Sequence, residues 1–529
     1  MTEPTASSSN NSPTEKQNIA AAAKGGGIIF AGRLFEFAGR FVIGVLLARF
    51  MGSEQYGVYA LADTVLSLGS GIALLGVGAG LVHFIPVYKN QGNTDRLWGV
   101  ILLGLFVPLG FGILSGIGVL FYADSIVNWF SEPLLLPVLS VVAFAIPFNV
   151  LMLSTISATQ GFKRMHYKVI AQDIILTVVK LVLIIPFIFL GLNAFLALSV
   201  STVGIIIASI VSIYFLHTKL FSLIRPLNTA QFPIKQLTVF SLPVYFTTLI
   251  NSFGLQLQTI LLGILNSSIE VGIFTASLRV GLLGKMFHSS IVIVAMPYVS
   301  DLYSRREWKQ LAHFYQTVTK WTFTFNLPMF LIVLLFAKPI LLIFGESFVY
   351  GLEFSLFGEL YSAGVVALIL LTFANTIGAA TGICGVMITM TERPGLNTFN
   401  SALALGSTLL LNLWLIPIMG IVGAALAQVV AVVILNTTRL VQVFYLYQMS
   451  PYNRTFVKPL IAALTSLGVT YLIITFLFTE IGILGIMINI TVLLAIYAGM
   501  IFMLGLTEDD YFILNKIFNR LKPLLPRRS

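Results

Sequence analysis

Arg33, Glu36 and Arg40 interrupt one apolar run and are the first residues of this 529-residue sequence that could do chemistry. At about 100° per residue they fall within roughly 60° of one another on a helix, as one charged stripe. Such groups would not face hydrocarbon, so the stripe is expected to line a polar path. Arg33 is near enough to a helix end to snorkel, with Glu36 pairing with it or with Arg40. Arg40 has no such exit, because it stands about 20 Å along the helix from residue 27. Further charges enter later apolar runs at Asp63, Asp173, Lys180, Arg279 and Lys285. Asp173 and Lys180 are seven apart on one helix face and could belong to a polar lining or neutralise each other through neighbouring helices. Asn251 and Gln258, one heptad apart, form a neutral polar stripe. The single cysteine, Cys384, excludes an intrachain disulfide, and the five histidines lack ligand spacing. Neither a nucleophile elbow nor a phosphate-binding glycine loop is present. No catalytic residue, metal site or cofactor is expected, and the chain does not read as an enzyme.

The elements that must position these residues follow from composition. With 57% hydrophobic and 9% charged residues and a mean hydropathy of +0.96, the chain is an all-α polytopic membrane protein. About fourteen apolar segments have spanning length. Basic residues collect in alternate connections: Lys89 and Arg96; Lys163, Arg164 and Lys168; Lys219, Arg225 and Lys235; Arg305, Arg306, Lys309 and Lys320; Arg393; and Arg454 with Lys458. These are expected to be cytoplasmic. The intervening connections hold acids but no Lys or Arg, apart from Arg49 and Lys338 just inside helix ends. An even count puts both termini in the cytoplasm, so the formal charge of +10 is mostly a topology signal. The cations are divided among short loops, which argues against a nucleic-acid partner. The basic stretch Tyr511 to Arg528 could lie on the anionic inner leaflet or be a solvated tail. No cleaved signal peptide is expected, because the N-terminal stretch lacks an apolar core.

A repeat organises the helices. Leu46 to Tyr59, containing Ser53 and Gly57, returns in weakened form 215 residues later as Leu261 to Phe274, containing Ser268 and Gly272. A second echo pairs Pro186 and Gly191 with Pro417 and Gly420. Six segments separate the copies, so they point the same way across the membrane: a parallel repeat. Residues 19–217 and 236–447 are then two six-helix lobes joined by the loop 218–235. A disordered tail (1–18), two extra helices (448–507) and a basic tail (508–529) lie outside them. Pro186, Pro243, Pro297, Pro328 and Pro417 are candidate bends. The outward loops are too short to fold as a domain, which points to passage rather than chemistry.

Ala48 to Tyr59 resembles the first loop of Wzx-type polysaccharide transporters of the multidrug/oligosaccharidyl-lipid/polysaccharide exporter superfamily. Phe344-Gly345-Glu346-Ser347-Phe348 and Ile416 to Ala425 look like the same family, and the resemblance covers about residues 24–505. It implies two lobes forming a V-shaped central cleft that opens alternately to the two membrane faces, and a flippase for polyprenyl-pyrophosphate-linked oligosaccharide in the cytoplasmic membrane. Arg40, together with Arg33, is then expected to contact the pyrophosphate, while Glu36 keeps the site from binding it too tightly. Asn251 and Gln258 would meet sugar hydroxyls or make ordinary interhelical hydrogen bonds. Arg279, one residue beyond the repeat equivalent of Asp63, could latch with it across the lobes. Asp63 or Asp173 could bind the coupling H+ or Na+. The expected partners are the bilayer, the lipid-linked substrate and polysaccharide assembly proteins. A multidrug/ion antiporter or a lipid II flippase is the alternative, and a membrane glycosyltransferase or polymerase is a more distant one.

Overall fold

Helices make up most of the described residues. The computed structural model describes residues 13–223, 226, 229–356, 358–390, 394–477 and 483–511. The tail expectations for residues 1–12 and 512–529 lie outside them. In order the helices are α1 (Pro13–Ala73), α2 (Val77–Asn90), α3 (Thr94–Phe121), α4 (Ala123–Phe130), α5 (Leu135–Gly161), α6 (Met165–Lys168), α7 (Leu176–Phe189), α8 (Ala194–Phe215), α9 (Ile234–Leu265), α10 (Ser268–Ser304) and α11 (Trp308–Leu342). They continue as α12 (Ser347–Tyr350), α13 (Ala363–Ala380), α14 (Cys384–Met390), α15 (Pro394–Tyr447), α16 (Val457–Leu477) and α17 (Ile483–Met503). A π-helical stretch, Val169–Ile175, joins α6 to α7. One antiparallel hairpin, β1 (Glu353–Leu356) with β2 (Glu359–Ser362), interrupts the helices.

Capping fixes several helix starts. Asn93, Asn193 and Ser362 each accept a hydrogen bond from the backbone N–H three residues on, at 3.0, 2.9 and 3.4 Å. Two glycines bend helices without ending them. Gly52 (φ 76°, ψ 172°) interrupts α1, and Gly420 (φ 53°, ψ −132°) interrupts α15. Of the candidate bends, Pro328 lies in α11, but that helix departs from helical geometry at Phe336 (φ −123°, ψ 22°), one turn before Pro339. Pro339 cannot donate to the preceding turn.

Among the described residues eleven helices are long and apolar enough to cross a membrane. The number is twelve if the pair Leu34–Ala73 and Val77–Asn90, bent by 46°, is one span. Fourteen were expected from the sequence. The difference lies mainly in α1 and α15, where two apolar runs continue through a single glycine and count as one helix. Lys320, grouped above with the loop cations, lies well inside α11 and is corrected to a helix residue. Phe106, Leu114, Ile117 and Phe121 of α3 are exposed side chains of a kind that hydrocarbon accommodates.

The chain forms two compact units. The first comprises residues up to Gly44, Ala62–Trp129 and Pro133–Ser252, and the second Val45–Leu61, Phe130–Glu132 and everything from Phe253. In the first, Leu81, Ile85, Trp98, Ile101 and Leu237 form a core in which α2, α3 and the start of α9 meet. In the second, Val299, Leu311, Tyr315, Met387 and Val443 join α10, α11, α14 and α15. There α16 and α17 pack beside α11 through Phe323, Leu327, Ala462 and Leu493.

Candidate functional site

In the first unit α1 makes a close helix contact at two glycines near Glu36. A side chain on Gly32 would overlap Val169, and one on Gly39 would overlap Thr177. Glu36 falls between those glycines on the same α1 face, and Asp173 falls between Val169 and Thr177 on the facing helix. Both carboxylates thus belong to the two helices that make this contact. Asp173 is 3% exposed and sits in the π-helical turn, a local widening often found at functional positions. That turn also changes the helix phase, so a spacing of seven no longer stacks Asp173 directly over Lys180. Glu36 and Arg40 form an ion pair at 2.6 Å, with Glu36 largely buried and the Arg40 side chain 61% exposed. Asp63 and Lys180 are half-buried in the same unit. The side chains of Arg33 and Asn251 lie outside the described residues.

The sequence motifs assemble in the second unit. Ser53 and Gly57 of the first copy meet Ser268 and Gly272 of the second, and the contact is reciprocal. A side chain on Gly57 would overlap the Ser268 carbonyl, and one on Gly272 would overlap the Ser53 carbonyl. Repeat equivalents thus exchange the same contact, as in an isologous interface. Arg49 donates to the Ile343 carbonyl at the end of α11 at 3.2 Å, and the Ser53 N–H donates to Ser347 Oγ at 3.1 Å. The Tyr56 ring meets Phe348 edge-on at 5.9 Å. Hence the turn motif and Phe344–Phe348 are packing partners. The third motif joins them, because a side chain on Gly420 would lie 2.7 Å from Glu270 Oε2. Arg279 stands 5.8 Å above the Tyr56 ring, a cation–π contact. Gln258 is 8% exposed and donates to the Ala424 carbonyl at 3.2 Å, the interhelical hydrogen bond that was one of its two expected roles.

One feature of the second unit escapes sequence reasoning. A cavity of about 390 Å³ is lined by Lys285, His288, Arg439, Asn375, Gln428 and Asn436 among others. In the sequence Lys285 stands out only as a charge and His288 only as one of five scattered histidines. The spacing of Gln428, Asn436 and Arg439, which puts all three on one helix face, was the available signal.

The chain is similar to the lipid II flippase MurJ in an inward closed conformation, at 17% identity and a TM-score of 0.70, covering 89% of this chain and 98% of that one. It is similar to an inward-facing MATE family multidrug resistance transporter at 16% identity and 0.64, covering 78% and 96%. It is also similar to the MATE multidrug transporter DinF-BH at 17% and 0.55, covering 79% and 95%. The fold is that of the membrane transporters of the multidrug/oligosaccharidyl-lipid/polysaccharide exporter superfamily. Residues 22–303 match the polysaccharide biosynthesis protein family, and the chain belongs to it. A search of curated proteins finds no match.

Proposed function

We propose that this protein moves a polyprenyl-pyrophosphate-linked oligosaccharide from the cytoplasmic to the outer leaflet of the cytoplasmic membrane by alternating access, without chemical conversion. The observation that carries the reading is the Arg40–Glu36 pair on a helix that must cross hydrocarbon, within the segment matched to the polysaccharide biosynthesis family. Passing a pyrophosphate and many hydroxyls through lipid unaided would leave charge and polar groups unsolvated, so the path must offer cations and hydrogen bonds. Arg40 meets the pyrophosphate and Glu36 competes for it, which keeps binding weak enough for release. Asp173, buried in the π-helical stretch, and Asp63 are the candidates for holding a coupling proton or Na+. Both termini are cytoplasmic in this reading.

Complementation of a flippase-deficient strain tests the assignment: Arg40→Ala is expected to lower flipping at least tenfold at normal protein levels. Full flipping by that variant would sink it. Similarity to a lipid II flippase favours one second reading, a peptidoglycan precursor carried on the same kind of pyrophosphate. Proteoliposomes offered lipid II or a polysaccharide repeat unit separate the two.

A further inference from the structure

The cavity in the second unit brings cations from two helices to one space. Lys285 comes from α10 and Arg439 from α15, with the His288 imidazole of α10 also in the lining, and no carboxylate lines it among the described residues. Side-chain amides hold the α10 backbone beside Lys285: Asn375 Nδ2 donates to the Gly281 carbonyl at 3.1 Å and Asn326 Nδ2 to the Gly284 carbonyl at 3.0 Å. Arg439 Nη2 donates to Asn397 Oδ1 at 3.1 Å, and a side chain on Gly385 would lie 3.3 Å from the guanidinium carbon. Arg439 Nε and His288 Nδ1 are buried and have no hydrogen-bond partner among the described residues. Arg439, partly buried without a facing carboxylate inside a helix bundle that spans a membrane, is costly unless an anion accompanies it, and Lys285 stands exposed beside the same space.

The remaining lining describes that anion. At about 390 Å³ the space would hold roughly a dozen waters at about 30 Å³ each, more than inorganic phosphate needs. Asn375, Gln428, Asn436 and Thr389 supply amide and hydroxyl groups, and among the described residues the one ring in the lining is the His288 imidazole. That set suits hydroxyl groups around a negative charge and repels a cationic drug. The geometry points to this cavity as a binding site for an anionic hexosyl group, a sugar carboxylate or a sugar phosphate, of the transported glycan. The inference rests on the transport reading above and narrows it to acidic oligosaccharides.

Titration calorimetry of the purified full chain in nanodiscs, with glucuronate, glucose 1-phosphate, glucose and inorganic phosphate as probes, tests it. One or both acidic sugars are expected to bind at least tenfold more tightly than glucose or phosphate, and the tighter one identifies the anion. Arg439→Gln and Lys285→Gln should each weaken that binding tenfold or more. Gly385→Val, which crowds the guanidinium, should do the same. Glucose binding as tightly as the acids, or binding of phosphate alone, overturns the proposal. So does unchanged affinity in a Lys285→Gln protein that melts like the wild type, which guards against misfolding of the Arg439 variant. Wild type that binds acidic sugars yet fails to move lipid-linked glycan in proteoliposomes defeats only the transport reading. Translocation without acidic-sugar binding defeats only the cavity.

Discussion

Lys320 shows how a buried charge is paired in this protein. Its ammonium pairs with Asp510 at 2.8 Å, with side-chain exposures of 8% and 17%. Thr507 Oγ1 accepts from the same ammonium, and the Trp321 indole donates to Asp510. Burial alone would raise the Asp510 carboxyl, but hydrogen bonds from Lys320, Trp321 and Thr507 outweigh it and bring it down to about 2 from 3.8. The unfolded chain therefore takes up this proton first as pH falls. Stability from Asp510 is fully present above the unfolded value and is lost as pH drops toward the folded one. Asp510→Asn should cost about 2 kcal/mol near neutral pH, between the values typical of exposed and buried pairs. It should also remove part of the acid sensitivity of the wild type, and thermal melts from pH 2.5 to 7 check both. The sequence gives no hint of this pair, because 190 residues separate its members.

At the scale of elements, the reciprocal glycine contact is the most constrained joint described. Each glycine faces a backbone carbonyl of the other copy, and backbone cannot move aside by changing rotamer. Gly57→Val and Gly272→Val should each cost at least about 1–3 kcal/mol through overpacking. The double variant should lose less than the sum, because the first substitution has already opened the seam. Melting of the purified single and double variants measures both. Fully additive losses would mean that the two glycines do not share one joint. The repeat was legible from Gly57 and Gly272 alone, but their contact was not, because a sequence period reports equivalence and says nothing about touching. Likewise Gly420 was legible as part of an echo of Gly191. That α15 kinks there depends on a positive φ open to glycine, at a point where Glu270 would crowd any side chain.

For the molecule as a whole, moving an anion outward is favoured by an inside-negative potential, at roughly 2.3 kcal/mol per charge for each 100 mV. Proteoliposomes carrying such a potential should flip a fluorescent lipid-linked oligosaccharide severalfold faster than depolarised ones. A rate indifferent to potential would mean that no net charge crosses in the limiting step. The sequence by itself determined the membrane class, the helical architecture, the repeat and the stripe of Arg33, Glu36 and Arg40, because hydropathy, period and helical phase are properties of consecutive residues. Only the tertiary structure decided which turns and charges meet. It set α1 at Gly32 and Gly39 against Val169 and Thr177, packed Arg49 to Tyr56 against the segment Phe344–Phe348, and gathered Lys285, His288 and Arg439 around one cavity. Those contacts join residues tens to hundreds of positions apart, and packing between helices fixes them where local sequence cannot.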